Sequence, residues 1–75
     1  PPPDLFQATI SSESREPLRV SGQVRLDLQV LREHVLARRG RKTRVEARLA
    51  AADQGTLRRA LGDMAWRGVD LIVQG

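Results

Sequence analysis

The stretch from Asp53 to Val73 constrains the fold of this chain more than any other. Its apolar residues first recur at i, i+3, i+4, i+7 and i+8, which places them on one face of an amphipathic helix. Gly68 then interrupts this spacing, and the residues after it alternate as in a mostly buried strand. The stretch therefore predicts a helix that packs on a sheet and a strand that returns to that sheet. The helix positions are Leu57, Ala60, Leu61, Met64 and Ala65, and the strand positions are Val69, Leu71 and Val73.

Three earlier segments show the two-residue period of β-strands. The first is Leu5–Ser11, and the second begins at Leu18, after a polar turn or loop over residues 11–17. The third is Thr43–Leu49. Gly22 falls in the apolar phase of the second segment, which indicates a bulge or a close backbone contact. The predicted inward positions are Phe6, Ala8 and Ile10 in the first segment and Val45, Ala47 and Leu49 in the third.

The boundary between the second strand and the first helix is ambiguous, because residues 22–27 fit both the strand period and the helix period. We expect the strand to continue to about residue 26 and the helix to cover residues 28–39, ending at Gly40. Asp27 is predicted to cap this helix by accepting hydrogen bonds from its first backbone N–H groups. Asp53 is predicted to cap the second helix in the same way.

This succession of elements, β-β-α-β-α-β, predicts an α+β fold: a small two-layer α/β sandwich of about four strands with two helices on one face. If the segment at Leu18 is partly helical, the order becomes β-α-β-α-β. Ferredoxin-like sandwiches and ACT-like ligand-sensing sandwiches are nearby architectures. Their usual order is β-α-β-β-α-β, so the likeness is one of class only.

The length of 75 residues fits one small domain, and the chain contains no cysteine. We expect residues 1–4, which are rich in proline, to be the remnant of a linker, and residues 5–75 to form a single domain excised from a larger protein. The sequence has no run of about 18 apolar residues, so this segment is not expected to insert into a membrane, although the parent protein could be membrane-anchored. The lack of cysteine fits a cytoplasmic or cytoplasmic-facing location.

No catalytic or metal-binding motif is evident, so we predict that the domain is not an enzyme and holds no cofactor or metal. His34 is the single histidine. A general base needs a reacting partner and an orienting group, and a zinc site needs several ligands, so one histidine suffices for neither. The helix-capping roles of Asp27 and Asp53 account for those acids without a catalytic pair.

The connection after the first helix carries five cations in eight residues, from Ala37 to Arg44. Such a cluster predicts, as an alternative function, a nucleic-acid-binding module or anion site, because arginine and lysine neutralise phosphates. Cations at a helix C-terminus also complement the helix dipole, and no aromatic residue lies nearby to stack on a base. The predominance of arginine, with Lys42 as the only lysine, is typical of a GC-rich bacterial genome. The cluster consists of Arg38, Arg39, Arg41, Lys42 and Arg44.

Trp66 lies opposite the apolar face of the second helix, by the ~100° rotation of each helical residue. It could form the centre of a protein interface with Arg59, Gly62 and Asp63, because tryptophan and arginine are frequent hot-spot residues. Alternatively, it could fold over the sheet edge or the N-terminal strand as part of the core.

We therefore predict a non-enzymatic accessory, regulatory or assembly domain that binds another protein or a second copy of itself. An exposed edge strand, either Leu5–Ser11 or Val69–Val73, would offer a further mode of binding through strand addition. A third hypothesis is an ACT-like small-molecule sensor domain.

Overall fold

Four strands and two helices follow one another in the order β-β-α-β-α-β, which confirms the predicted two-layer sandwich. The computed structural model describes residues 2–75, so Pro1 of the expected linker remnant lies outside them. A short 3-10 helix follows the second α-helix. The elements are β1 (Leu5–Ser12), β2 (Arg15–Gln23), α1 (Val24–Arg38), β3 (Thr43–Leu49), α2 (Ala51–Leu61), the 3-10 helix (Gly62–Arg67) and β4 (Val69–Gln74).

The four strands form one mixed sheet in the order β2-β1-β3-β4. β1 is antiparallel to both β2 and β3, whereas β3 and β4 run parallel. The predicted exposed edge at Leu5–Ser11 is therefore wrong, because β1 has a hydrogen-bonded neighbour on each side. The two edges of the sheet are β2 and β4.

The core lies between the sheet and the two helices. In β1 and β3 alternate residues are buried, as the two-residue period predicts, because successive side chains of a strand point to opposite faces. Both helices contribute their apolar stripes, and Met64 of the 3-10 helix completes the layer. The residues with at most 1% exposure are Phe6, Ile10, Leu31, Val35, Val45, Ala47, Leu49, Leu57, Leu61 and Met64.

Helix α1 begins at Val24, four residues earlier than the sequence pattern predicted. The backbone N–H of Val24 donates to the carbonyl of Asp4 over 2.9 Å, so the N-terminal segment fixes the first turn. Asp27 is not the N-cap. Its carboxylate reaches back and accepts from the N–H of Gln23 at 2.7 Å. Gly22 permits this approach, because a Cβ at that position would lie 2.5 Å from the Asp27 Oδ2 atom.

Helix α2 begins at Ala51, so Asp53 lies inside the first turn and is not its N-cap. Its carboxylate accepts instead from the backbone N–H of Asp4 at 2.8 Å, which ties the N-terminal segment to this helix. The chain leaves α-helical geometry after Leu61, continues as the 3-10 helix, and ends at Gly68 with a φ of 79°. The predicted stop at Gly68 is confirmed, because glycine adopts this left-handed conformation without steric cost.

Candidate interaction surface

The two edges of the sheet differ in how they are protected. β2 begins with a register irregularity against β1, and it carries Pro17, which has no N–H to offer a new strand. The guanidinium of Arg38 binds the carbonyl of Glu16, so α1 also occupies part of this edge. Charged residues and proline on an edge strand discourage pairing with another chain.

β4 has none of these protections. It contains six residues, no proline and one charge, that of Asp70. Its apolar residues are only partly covered: Leu71 and Val73 are half-buried on the helix side, and Ile72 is 37% exposed on the opposite face. Within residues 2–75, β4 pairs with β3 alone, so its outer N–H and C=O groups face solvent. Such an edge is a template for another strand.

Trp66 lies on the 3-10 helix that immediately precedes β4 and packs against it. Its side chain is 92% exposed, the largest value among the big apolar residues of the described chain. Trp66 is therefore a surface residue and not part of the core. The neighbouring Met64 is fully buried, so the same short helix is anchored on one side and presents the indole on the other.

A salt bridge between α1 and the 3-10 helix fixes the position of this turn. The two nitrogens Nη1 and Nη2 of Arg32 donate to the two carboxylate oxygens of Asp63 at 2.5 and 2.7 Å. Arg32 Nη1 also donates to the carbonyl of Ala60 at 3.1 Å, and Arg67 Nε reaches Asp63 at 3.2 Å. The hydrogen bonds from Arg32, more than that from Arg67, hold the pKa of the Asp63 carboxyl well below its usual range.

The predicted cluster of Trp66, Arg59, Gly62 and Asp63 is only partly assembled. Asp63 is engaged by Arg32 and Arg67. The guanidinium of Arg59 turns back toward the start of α2, where it donates to the Thr56 hydroxyl at 3.4 Å. Gly62 is exposed on the 3-10 helix with Trp66. Arg32, to which no sequence motif points, makes the hydrogen bonds that hold this turn in place.

The basic cluster lies on the surface at the end of α1 and the start of β3, and most of its cations have acceptors in the fold. Arg38 binds the Glu16 carbonyl. Arg41 and Lys42 face the Glu13 carboxylate at 3.3 and 4.0 Å. In the same cluster Arg44 pairs with Glu46 at 3.5 Å, and Arg39 is exposed.

His34 is exposed on α1. Within residues 2–75, no group of three or more histidine or acidic side chains is placed to hold a metal ion. None of the helices in this part of the chain is both long enough and apolar enough to cross a membrane.

The chain matches no known protein family, and no curated protein or solved structure is significantly similar to it. The class that the fold defines is a small two-layer α/β sandwich with one unprotected sheet edge.

Proposed function

We propose that this chain is a non-enzymatic assembly domain that binds protein by strand addition at the free edge of β4, and that a second copy of the chain is the partner. The observation that carries the proposal is the contrast between the two edges. β2 carries proline and charges, whereas β4 leaves its backbone groups and three apolar side chains accessible. A chain that is not selected to pair at β4 would be expected to protect both edges.

The sequence of β4 suits pairing with itself. In an antiparallel pair centred on Ile72, the two copies of Ile72 lie opposite each other on the open face of the sheet. Asp70 then faces Gln74, which gives a carboxylate opposite an amide donor. On the helix side, Leu71 faces Val73, so the half-buried apolar residues of each copy extend the core of the other. A pairing centred on Leu71 would instead set Asp70 opposite Ile72.

Trp66 supplies a second contact for the same surface. It is exposed, it lies three residues before the start of β4, and its turn is held by Arg32 and Met64. A turn whose backbone is held before binding loses less conformational entropy when it binds. Tryptophan is also among the residues that most often dominate the energy of an interface.

Sedimentation equilibrium of the purified domain and of two charge variants tests this proposal. We expect the wild type to associate weakly and reversibly, since an edge of six residues gives a small interface. Ile72→Lys places a charge on the symmetry axis and is expected to abolish association. Val30→Lys is the matched control, because Val30 is an exposed apolar residue of similar accessibility on α1. A wild type that stays monomeric at millimolar concentration, or a loss of association in both variants, would contradict the proposal.

A nucleic-acid-binding role for the basic cluster is the competing function. The cluster is not purely cationic, which weighs against this role. The carboxylates of Glu13 and Glu46 lie beside its cations and would repel a phosphate backbone. Triple replacement of Arg39, Arg41 and Lys42 by alanine would abolish RNA or DNA binding at low ionic strength if this competing function held.

A further inference from the structure

A concavity of about 690 Å³ lies at the end of the sheet where β3 and β4 begin. Its volume falls in the range of small-molecule sites, which is about 300–1,000 Å³. The lining combines carboxylates, cations and hydroxyls with the small residues Ala65 and Gly68. The charged residues that line it are Glu13, Lys42, Arg44 and Asp70.

One wall of this concavity is made by two turns that are tied together. The N–H of Glu13, in the β1–β2 turn, donates to the carbonyl of Arg41 over 3.1 Å. The Thr43 hydroxyl, which belongs to a residue that is 2% exposed, accepts from the N–H of Gly40 at 2.8 Å and donates to its carbonyl at 3.0 Å. These bonds hold the residue between them, Lys42, at a φ of 56°. A non-glycine residue remains in that conformation only where its surroundings enforce it.

Gly68 also lines the concavity, and with a φ of 79° and no side chain it leaves space there. Three of the lining residues, Ser11, Arg44 and Asp70, are direct neighbours on three adjacent strands. All three point to the sheet face that the helices do not cover. The sheet therefore presents a hydroxyl, a cation and a carboxylate in one row at the concavity.

The opposite charges of this row do not pair with each other. Arg44 pairs with Glu46 of its own strand at 3.5 Å. In the described part of the chain, the Asp70 carboxylate has no ion-pair or hydrogen-bond partner. Opposite charges on neighbouring strands usually attract each other. Asp70 is therefore directly available to a ligand. A ligand carboxylate would replace Glu46 at Arg44 and Glu13 at Lys42, and both of these are weak, exposed pairs at 3.5 and 4.0 Å.

We propose that this concavity binds a small zwitterion, with the ligand carboxylate at Lys42 and Arg44 and the ligand ammonium group at Asp70. A ligand with one charge would leave one side of the row unused, and an anion such as phosphate would face Glu13 and Asp70 unfavourably. The shared chemistry fits both a free amino acid and a short peptide with free ends. The site shares Asp70 with the proposed pairing of β4, but its other charged residues lie outside β4 and it does not require self-association.

Amide chemical shifts of the uniformly ¹⁵N-labelled domain test this site in titrations at low salt. The probes are glycine, triglycine, and triglycine with its ends acetylated and amidated. We expect shift changes at Ser12, Lys42, Arg44, Gly68 and Asp70 with the free-ended probes, and none with the blocked peptide. Equal binding of glycine and triglycine would support a free amino acid as the ligand, and binding of triglycine alone would support a peptide. Shifts with the blocked peptide, scattered shifts, or no shifts would overturn the proposal.

Two variants and a matched control test whether the ligand binds at these residues. Arg44→Gln and Asp70→Asn are each expected to weaken binding about tenfold or more, the effect of losing one charge-assisted hydrogen bond. Arg48→Gln is the control, because Arg48 projects from the same strand on the same face but does not line the concavity. An equal loss in Arg48→Gln would show a general effect of charge and overturn the proposal. Repeating the titration at a protein concentration where the domain is monomeric separates the site from self-association, because ligand binding is expected to persist there.

Discussion

Arg32 and Asp63, 31 residues apart in the sequence, form a two-pronged salt bridge that joins α1 to the turn bearing Trp66. The Arg32 side chain is 22% exposed, so its guanidinium is partly withdrawn from water. It also binds the carbonyl of Ala60 near the end of α2, where the helix leaves terminal carbonyls without intrahelical partners. This one side chain therefore closes the end of a helix and fixes the exposed turn that follows.

The salt bridge makes stability depend on pH in a defined window. The pKa of Asp63 is lowered on folding from its ordinary value of 3.8. The ionised carboxylate therefore contributes fully to the free energy of unfolding above that pH, and this contribution is lost as the pH falls below it. We expect Asp63→Asn to lower the urea midpoint at pH 7. The difference from wild type should shrink as the pH falls from about 5 toward 2. Urea unfolding at several pH values measures this, and a constant difference over the whole range would contradict it.

Trp66→Ala is expected to leave stability nearly unchanged, within about 0.5 kcal/mol, because the indole is exposed and packs little. The same variant should weaken self-association in sedimentation experiments. Met64→Ala, two residues away in the same 3-10 helix, is the contrasting variant. Met64 is fully buried, so its truncation should cost about 2–5 kcal/mol. Comparable losses of stability in the two variants would show that Trp66 contributes to the core in solution.

The glycines at positions 22 and 62 should respond in opposite ways to alanine. Gly22→Ala drives a Cβ against the Asp27 carboxylate, which must move and release the N–H of Gln23, at a cost of about 1–3 kcal/mol. Gly62 has helical dihedral angles, and within residues 2–75 no atom lies within 4 Å of a Cβ added there. Gly62→Ala should therefore stabilise the domain by about 0.4–1 kcal/mol. Chemical unfolding of both variants measures these effects, and destabilisation by Gly62→Ala would contradict the described geometry.

Salt distinguishes self-association from nucleic-acid binding. Each copy carries a net charge of +4, so like-charge repulsion opposes the meeting of two copies and is screened as salt is added. We expect self-association of the domain to strengthen between about 50 and 200 mM NaCl. Binding to DNA or RNA would weaken over the same range, because releasing the condensed counterions gains less entropy when the solution already holds more salt. Sedimentation of the domain alone and with a single-stranded oligonucleotide at both salt concentrations measures the two responses.

The periodicity of the sequence predicted the elements well where burial alternates cleanly. Thr43–Leu49 has the predicted bounds, and the buried positions of β1 and α2 are those of the apolar pattern. The start of α1 was missed because it depends on a contact between Asp27 and a backbone that only Gly22 allows to come so close. The spacing of apolar residues carries no information about such a contact.

Less of the candidate interaction surface could be predicted from the sequence. Which strand forms an edge depends on the order of strands in the sheet, and the alternation within Leu5–Ser11 is the same whether that strand is central or peripheral. The residues around Arg32 in the sequence do not indicate its salt bridge, because its partner Asp63 lies on another element. Trp66 was recognisable as lying off the apolar face of its helix, but its exposure depends on how the 3-10 helix turns the chain.

The most direct test of strand addition at β4 is an isotope-filtered nuclear Overhauser experiment on a mixture of ¹³C-labelled and unlabelled domain. Antiparallel pairing centred on Ile72 predicts intermolecular cross-peaks between the methyl groups of Leu71 in one copy and those of Val73 in the other. The cross-peaks should vanish in Ile72→Lys. A mixture at millimolar concentration without these cross-peaks, or with intermolecular contacts at β2 instead, would contradict the account.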